Sequence, residues 1–198
     1  MNFWDQNFSC EGYKYGEQPN AFLAEQAAHW PAAVDVLLPG DGEGRNSVWL
    51  AQQGHRVLAM DSSQVGLAKA QALAAQRQVH IQTLLADLAD WQPEPHSADA
   101  LALIYLHLPV SLRAAAHQRL MTALRPGGWV VLEAFHPQQL AHTSGGPKDP
   151  SMLYTLDMLR QDFAGLQEVL AYEGPTELNE GPGHQGLAHV TRWVGRKA

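Results

Sequence analysis

Short apolar runs and helix-patterned stretches take turns along this chain from residue 34 to residue 135. Val34-Asp35-Val36-Leu37-Leu38 is short and partly β-branched, as a buried strand should be, and Pro39-Gly40 closes it. Arg45 to Gln53 reads as a helix that stops at Gly54. Arg56 to Met60 is the next strand, ended by Asp61. Ser62 or Ser63 can then cap a helix from Gln64 to Gln76 by accepting from an amide that has no partner inside the helix. A strand at His80 to Leu84, a turn-rich stretch from Asp87 to Ser97, a strand at Ala100 to Leu106 and a helix from Val110 to Leu124 continue the order. Arg125-Pro126-Gly127-Gly128 reads as a breaker and tight turn, so Trp129 to Phe135 opens a new strand. Strands separated by helices pair in parallel, and the right-handed crossover rule leaves a doubly wound α/β sheet, covered by helices on both faces, as the simplest solution.

The remainder of the chain is patterned differently. His136 to Pro150 carries Gly145, Gly146, Pro147 and Pro150, too many breakers for a regular element, and is expected to be a long loop. Leu156 to Phe163 is helical. Gln167 to Tyr172 and Leu187 to Val194 are strand-like, separated by the polar run Glu177 to Gly186, and are expected as an antiparallel pair added to the sheet edge. The 198 residues fit one domain: an N-terminal flap and helix at 1–30, a ligand-binding core at 31–135, and a substrate-side loop with C-terminal strands at 136–198.

Composition narrows the partners. With 45% hydrophobic and 17% charged residues the chain buries an ordinary globular core. A net charge of −7, with Arg192, Arg196 and Lys197 as the one basic cluster, speaks against a phosphate backbone and for a small-molecule partner. No apolar run approaches the roughly 18 residues of a membrane span. The single cysteine, Cys10, cannot form an internal disulfide, and Met1-Asn2-Phe3-Trp4-Asp5 lacks the basic-then-apolar order of a signal peptide, so the expected location is the cytoplasm. Oligomeric state is not legible.

Gly40-Asp41-Gly42-Glu43-Gly44 lies between the first strand and its helix, where glycines let the backbone turn tightly and approach a ligand at the helix N-terminus. The nicotinamide-dinucleotide pattern G-x-G-x-x-G would need glycine at position 45, which is Arg45 here. A nicotinamide-dependent oxidoreductase is therefore disfavoured. Asp61 follows about 20 residues on, at a strand end where a carboxylate can accept from both hydroxyls of a ribose. Asp87 is placed to accept from the exocyclic amine of an adenine, with the Leu88 backbone amide beside it. Taken singly, each aspartate could merely cap the next helix; on successive strand ends they point to a nucleoside.

These residues carry a resemblance. The run from Val36 to Asn46, followed by Asp61, Asp87 and Leu124-Arg125-Pro126-Gly127-Gly128, resembles the class I S-adenosylmethionine-dependent methyltransferases, with their Rossmann-like fold. Tyr15-Gly16-Glu17-Gln18-Pro19-Asn20 is similar to the lead-in of the tellurite-resistance and thiopurine methyltransferase-like branch. The resemblance implies S-adenosylmethionine as cofactor, its methionyl part on Gly40, Asp41, Gly42 and Gly44 with Arg45 and Asn46, its ribose on Asp61 and Ser62, and its adenine at Asp87 and Leu88. The family usually has an acid two positions before the first glycine, where this chain has Leu38, so Asp41 or a backbone carbonyl would face the methionyl ammonium.

Methyl transfer from a sulfonium needs positioning and exclusion of water, with a base only where the acceptor must lose a proton. His107, at the end of the fourth apolar run, is the expected base, with Tyr105 beside it. Tyr15, Glu133, His136 and His184 are expected on the substrate side, and Lys148 and Tyr154 are further candidates from the loops. Phe3, Trp4, Phe8, Tyr13 and Tyr15 make an aromatic N-terminal flap, either packed on the sheet edge or closing as a lid. His29, His55, His80, His117 and His189 lack the spacing of a zinc site, and no metal is expected. A module that binds S-adenosylmethionine or S-adenosylhomocysteine without catalysing transfer is the alternative from another functional class.

Overall fold

The computed structural model describes residues 2–198. Its sheet has seven strands in the order β3-β2-β1-β4-β5-β7-β6. Strands β1 (Asp35–Pro39), β2 (Arg56–Asp61), β3 (Gln82–Leu85), β4 (Ala98–Ile104) and β5 (Leu124–Phe135) are parallel. β6 (Gln167–Glu180) and β7 (His184–Arg196) form a hairpin whose second strand pairs antiparallel with β5, Leu132 opposite Trp193. The helices are α1 (Phe3–Phe8), α2 (Ala21–Ala27), α3 (Arg45–Gln52), α4 (Gln64–Gln76), α5 (Val110–Thr122) and α6 (Leu156–Asp162). The doubly wound α/β sheet with a C-terminal antiparallel pair is thus present.

Two-residue periodicity divides the core between the sheet faces. Along β1, Val36 and Leu38 pack with Phe22, Leu23, Val48, Leu50 and Leu73 from α2, α3 and α4. Leu37 points the other way, into a layer that holds Leu120 from α5, Leu159 and Phe163 at α6, and Trp193 from β7. Strands buried on both faces need near-continuous apolar sequence, which explains why β1, β4 and β5 were visible as runs.

Three local expectations are corrected. Arg125-Pro126-Gly127-Gly128 is not a turn ahead of a strand: β5 begins at Leu124, and the four residues bulge out of it between the pairs Ala98–Leu124 and Ala100–Trp129. The end of the chain holds this bulge, because Gly127 N–H donates to Lys197 O at 2.9 Å and Lys197 N–H to Gly128 O at 2.8 Å. The polar run Glu177 to Gly186 is mostly strand, with residues 181–183 alone as the turn. β6 is the outermost strand, so its polar side chains face solvent at little cost and give no apolar signal. The segment after β5 is not a bare loop either, since Pro137–Ala141 and Pro150–Met152 form short 3-10 turns.

The aromatic flap is helical and tied down. The Asp5 carboxylate accepts from Ser63 Oγ at 2.8 Å and Val65 N–H at 3.3 Å, and Asn2 Nδ2 donates to Ser62 O at 2.6 Å. α1 is therefore joined to the N-terminus of α4, where a carboxylate also faces the positive end of the helix dipole.

Candidate active site

The carboxyl ends of the parallel strands open onto a cavity of about 920 Å³. This is where doubly wound sheets bind ligands, because loops after adjacent strands part there. Gly40, Gly42 and Gly44 all adopt left-handed φ, at +71°, +65° and +90°. Gly44 shows why a side chain is not tolerated: a Cβ there would lie 2.6 Å from Ala70 Cα, so α3 and α4 could not approach as they do. Gly44 also leaves the start of α3 without a side-chain cap. Amides in that first turn have no partner inside the helix and are suited to an anion or a ligand oxygen.

Two carboxylates, Asp61 buried and Asp41 half-buried, frame this loop. Asp61 accepts from Gly42 N–H and Ser63 N–H, each at 2.8 Å, one on each oxygen. The cap of α4 is Ser63, whose Oγ accepts from Gly66 N–H at 3.0 Å, so Asp61 is not the helix cap weighed from sequence; each of its oxygens keeps a lone pair and the residue lines the cavity. Burial raises its pKa above the ordinary carboxylate range, against the hydrogen bonds that lower it. Asp41 accepts from Ser47 Oγ at 2.5 Å. Burial pushes its carboxyl up to about 7, and the neighbouring Asp61 charge adds to the effect. Glu43 accepts from Lys14 N–H and Lys69 Nζ, both at 2.8 Å. Leu38, where the family places an acid, is buried in the core between sheet and helices. Asp87, Leu88 and Ser62 line the same cavity, as do Phe3, Trp4 and Phe8 of α1.

The other end of the cavity is walled by rings. Tyr105 stacks on Phe135 with centroids 4.6 Å apart, and the His184 ring lies 4.4 Å from Tyr15, 4.5 Å from Tyr105 and 5.1 Å from Phe135. Tyr105 holds φ +53°, an unfavourable conformation for a bulky residue, and its hydroxyl donates to Glu133 Oε1 at 2.6 Å. Arg45, the first residue of α3, donates from Nη2 to Glu180 Oε2 at 2.9 Å, while its buried Nη1 has no partner among the described residues. Asn20 Nδ2 donates to the other oxygen of Glu180, also at 2.9 Å.

Residues 36–128 match the family described as a methyltransferase domain. The matched stretch takes in the glycine loop, Asp61 and Asp87. Solved structures agree on the fold over most of its length. A protein from the conversion of a disulfide bond into a thioacetal group during echinomycin biosynthesis superposes with a TM-score of 0.73 at 21% identity, covering 94% of this chain and 84% of its own. TehB from Haemophilus influenzae gives 0.73 at 18% identity, with 90% of this chain and 62% of that one covered. The N-methyltransferase NodS from Bradyrhizobium japonicum, solved with S-adenosyl-L-homocysteine, gives 0.72 at 14%, with 98% and 96% covered. No curated protein matches the chain in sequence. The fold is that of the class I S-adenosylmethionine-dependent methyltransferases.

Within this fold the sequence-selected residues divide sharply. Gly40, Asp41, Gly42, Arg45, Asn46, Asp61, Ser62, Asp87, Leu88, Tyr15, Tyr105, His107, Lys148 and His184 share one cavity. Glu133 does not line it: the side chain is wholly buried behind Tyr105, where Arg192 Nε also donates to it at 3.0 Å. His136 is turned toward His189, 4.8 Å between ring centroids, and caps the following 3-10 turn by accepting from Gln138 N–H. Tyr154 is buried, its hydroxyl accepting from Leu108 N–H at 2.7 Å.

His107 is corrected most fully. Its Nδ1 bonds Met152 O at 2.6 Å, so that nitrogen carries the proton, and its Nε2 accepts from Phe135 N–H at 3.2 Å. Burial pulls its pKa down to about 4. With both nitrogens engaged by backbone, His107 fastens the 148–153 loop to β5 and has no lone pair left for an acceptor. Sequence reasoning gave neither Asn20 nor Glu180 a place in the site. Asn20 could have been found as the N-cap of α2, since it accepts from Leu23 N–H, but nothing in the sequence near Glu180 signals its partner Arg45.

Proposed function

We propose that this chain transfers the methyl group of S-adenosylmethionine to a small-molecule acceptor lying against Tyr15, Tyr105, Phe135 and His184. The observation that carries the reading is one cavity in which the glycine loop, Asp61 and Asp87 meet that ring wall. The residues present fit the cofactor. Asp61 retains lone pairs for a ribose, the start of α3 offers the amides ahead of Ser47, whose own N–H donates to Asp41 at 3.3 Å, buried Arg45 Nη1 can donate to a methionyl carboxylate, and Asp41 supplies an anion where Leu38 cannot. When bound, the cofactor supplies an activated methyl group on a sulfonium. The protein's share is to hold acceptor and donor in line and keep water away, which can lower a barrier by about 7–11 kcal/mol.

S-adenosylhomocysteine titrated calorimetrically into wild type and Asp61→Ala tests this. Binding to wild type and at least tenfold weaker binding to the variant are expected. Equal affinity for both would remove Asp61 from the site.

A further inference from the structure

The ring wall contains a group arranged for proton transfer. Glu180 and His184 face each other across the β6–β7 turn, Glu180 Oε2 lying 3.3 Å from His184 Nδ1. Glu180 is fixed on its other contacts by Arg45 Nη2 and Asn20 Nδ2, each at 2.9 Å, so three elements distant in sequence converge on one carboxylate. Burial alone would raise its pKa, but the His184 bond and the Arg45 charge overcome this and hold it down to about 2. An ionised carboxylate only accepts, so the proton of a neutral His184 sits on Nδ1 and the Nε2 lone pair is left free. The imidazole is 4% exposed and sits between Tyr15 and Tyr105 at the cavity wall. Its surroundings leave little room for rotation, since a Cβ on Gly145 would come within 2.6 Å of His184 Cδ2.

We infer that His184 is the proton acceptor of the transfer and Glu180 its positioning residue, and hence that the acceptor is a protic nucleophile, a hydroxyl, amine or thiol. This rests on the methyltransferase reading above. The acceptor atom gives its proton to Nε2 as it bonds the methyl carbon. The carbon–sulfur bond breaks with its electron pair going to sulfur, which becomes a neutral thioether. The imidazolium is balanced by Glu180 and returns its proton to water. Burial lowers the His184 pKa against the opposing pull of Glu180, so the ring is neutral and able to accept near pH 7. Arg45 connects the pair to the first residue of α3, and His184 and the glycine loop line the same cavity.

The test combines proton NMR of the imidazoles with transfer assays. In the S-adenosylhomocysteine complex, His184 should carry its proton on Nδ1 at pH 7 and should lose that preference in Glu180→Gln. Radiolabelled S-adenosylmethionine is then supplied with catechol, benzylamine, thiophenol or sodium selenite. Transfer to a protic member is expected, with a low-pH limb that follows the NMR titration of His184, moves to lower pH in Glu180→Gln, and disappears in His184→Gln with a loss of roughly 100-fold or more. A proton on Nε2 in the wild type overturns the inference even where no member accepts a methyl group. So does transfer confined to selenite, or a pH profile unchanged in His184→Gln. Failure of S-adenosylhomocysteine to bind at all sinks the cofactor reading instead, and calorimetry separates the two.

Discussion

Asp41 sits where a carboxylate is disfavoured, half-buried beside a second acid, and holds its proton up to about pH 7. A ligand bearing a sulfonium and an ammonium favours the charged form, so binding should expel that proton. At pH 6.5, S-adenosylmethionine binding measured in two buffers of different ionisation enthalpy should show net proton release, and Asp41→Asn should abolish it. Identical proton counts in the two proteins would mean that Asp41 gives up no proton when the cofactor binds. His107 calls for the opposite outcome. His107→Ala leaves Met152 O and Phe135 N–H without partners, which costs roughly 1–3 kcal/mol for buried backbone groups. The melting temperature should fall by several degrees at about 2–4 °C per kcal/mol while S-adenosylhomocysteine affinity is retained. A variant of wild-type stability would show that the two bonds contribute nothing.

The helices and strands were legible to the degree that their neighbours are apolar. β1, α4 and the core of β4 follow from local pattern because both faces are covered, whereas β6 faces solvent and hid in a polar run. The site divides in the same way. Its cofactor side is built from segments adjoining single strands, Gly40 to Asn46, Asp61 and Asp87, so sequence order places them. Its acceptor side needs the hairpin to fold back, bringing Glu180 on β6 to Arg45 after β1 with three strands between them in the sheet, and no local pattern encodes that. The α3–α4 contact offers a test at this scale. Gly44 and Gly54 have nearly equal φ, +90° and +89°, but only Gly44 faces a neighbour within van der Waals distance of an added Cβ. Alanine at Gly54 should cost about 1 kcal/mol of backbone strain, and alanine at Gly44 clearly more, because α4 backbone must move. Equal losses of melting temperature would mean that the helices are not packed through Gly44.

Across the molecule, burial of ionisable groups sets an opposed pair of pH dependences. His107, pulled down to about 4 from an ordinary 6.5, binds no proton in the folded state between those values while the unfolded chain does, so stability rises with pH through that window. His55 and His184 are lowered by burial as well and act in the same direction. Glu180, held at about 2, contributes stability above its ordinary 4.5 that is lost as pH falls toward 2. Asp41 alone among these groups has a raised pKa of about 7, so its contribution is complete below 3.8 and disappears as pH climbs to 7. Between pH 5 and 6.5 it therefore opposes the histidines. Removing it should steepen the whole curve: the unfolding free energy of Asp41→Asn should climb faster than that of wild type by up to one proton, roughly 1.4 kcal/mol per pH unit. Denaturant titrations at four pH values would measure this, and parallel curves would mean that Asp41 is already ionised in the folded protein, leaving its anion available to the cofactor without proton release.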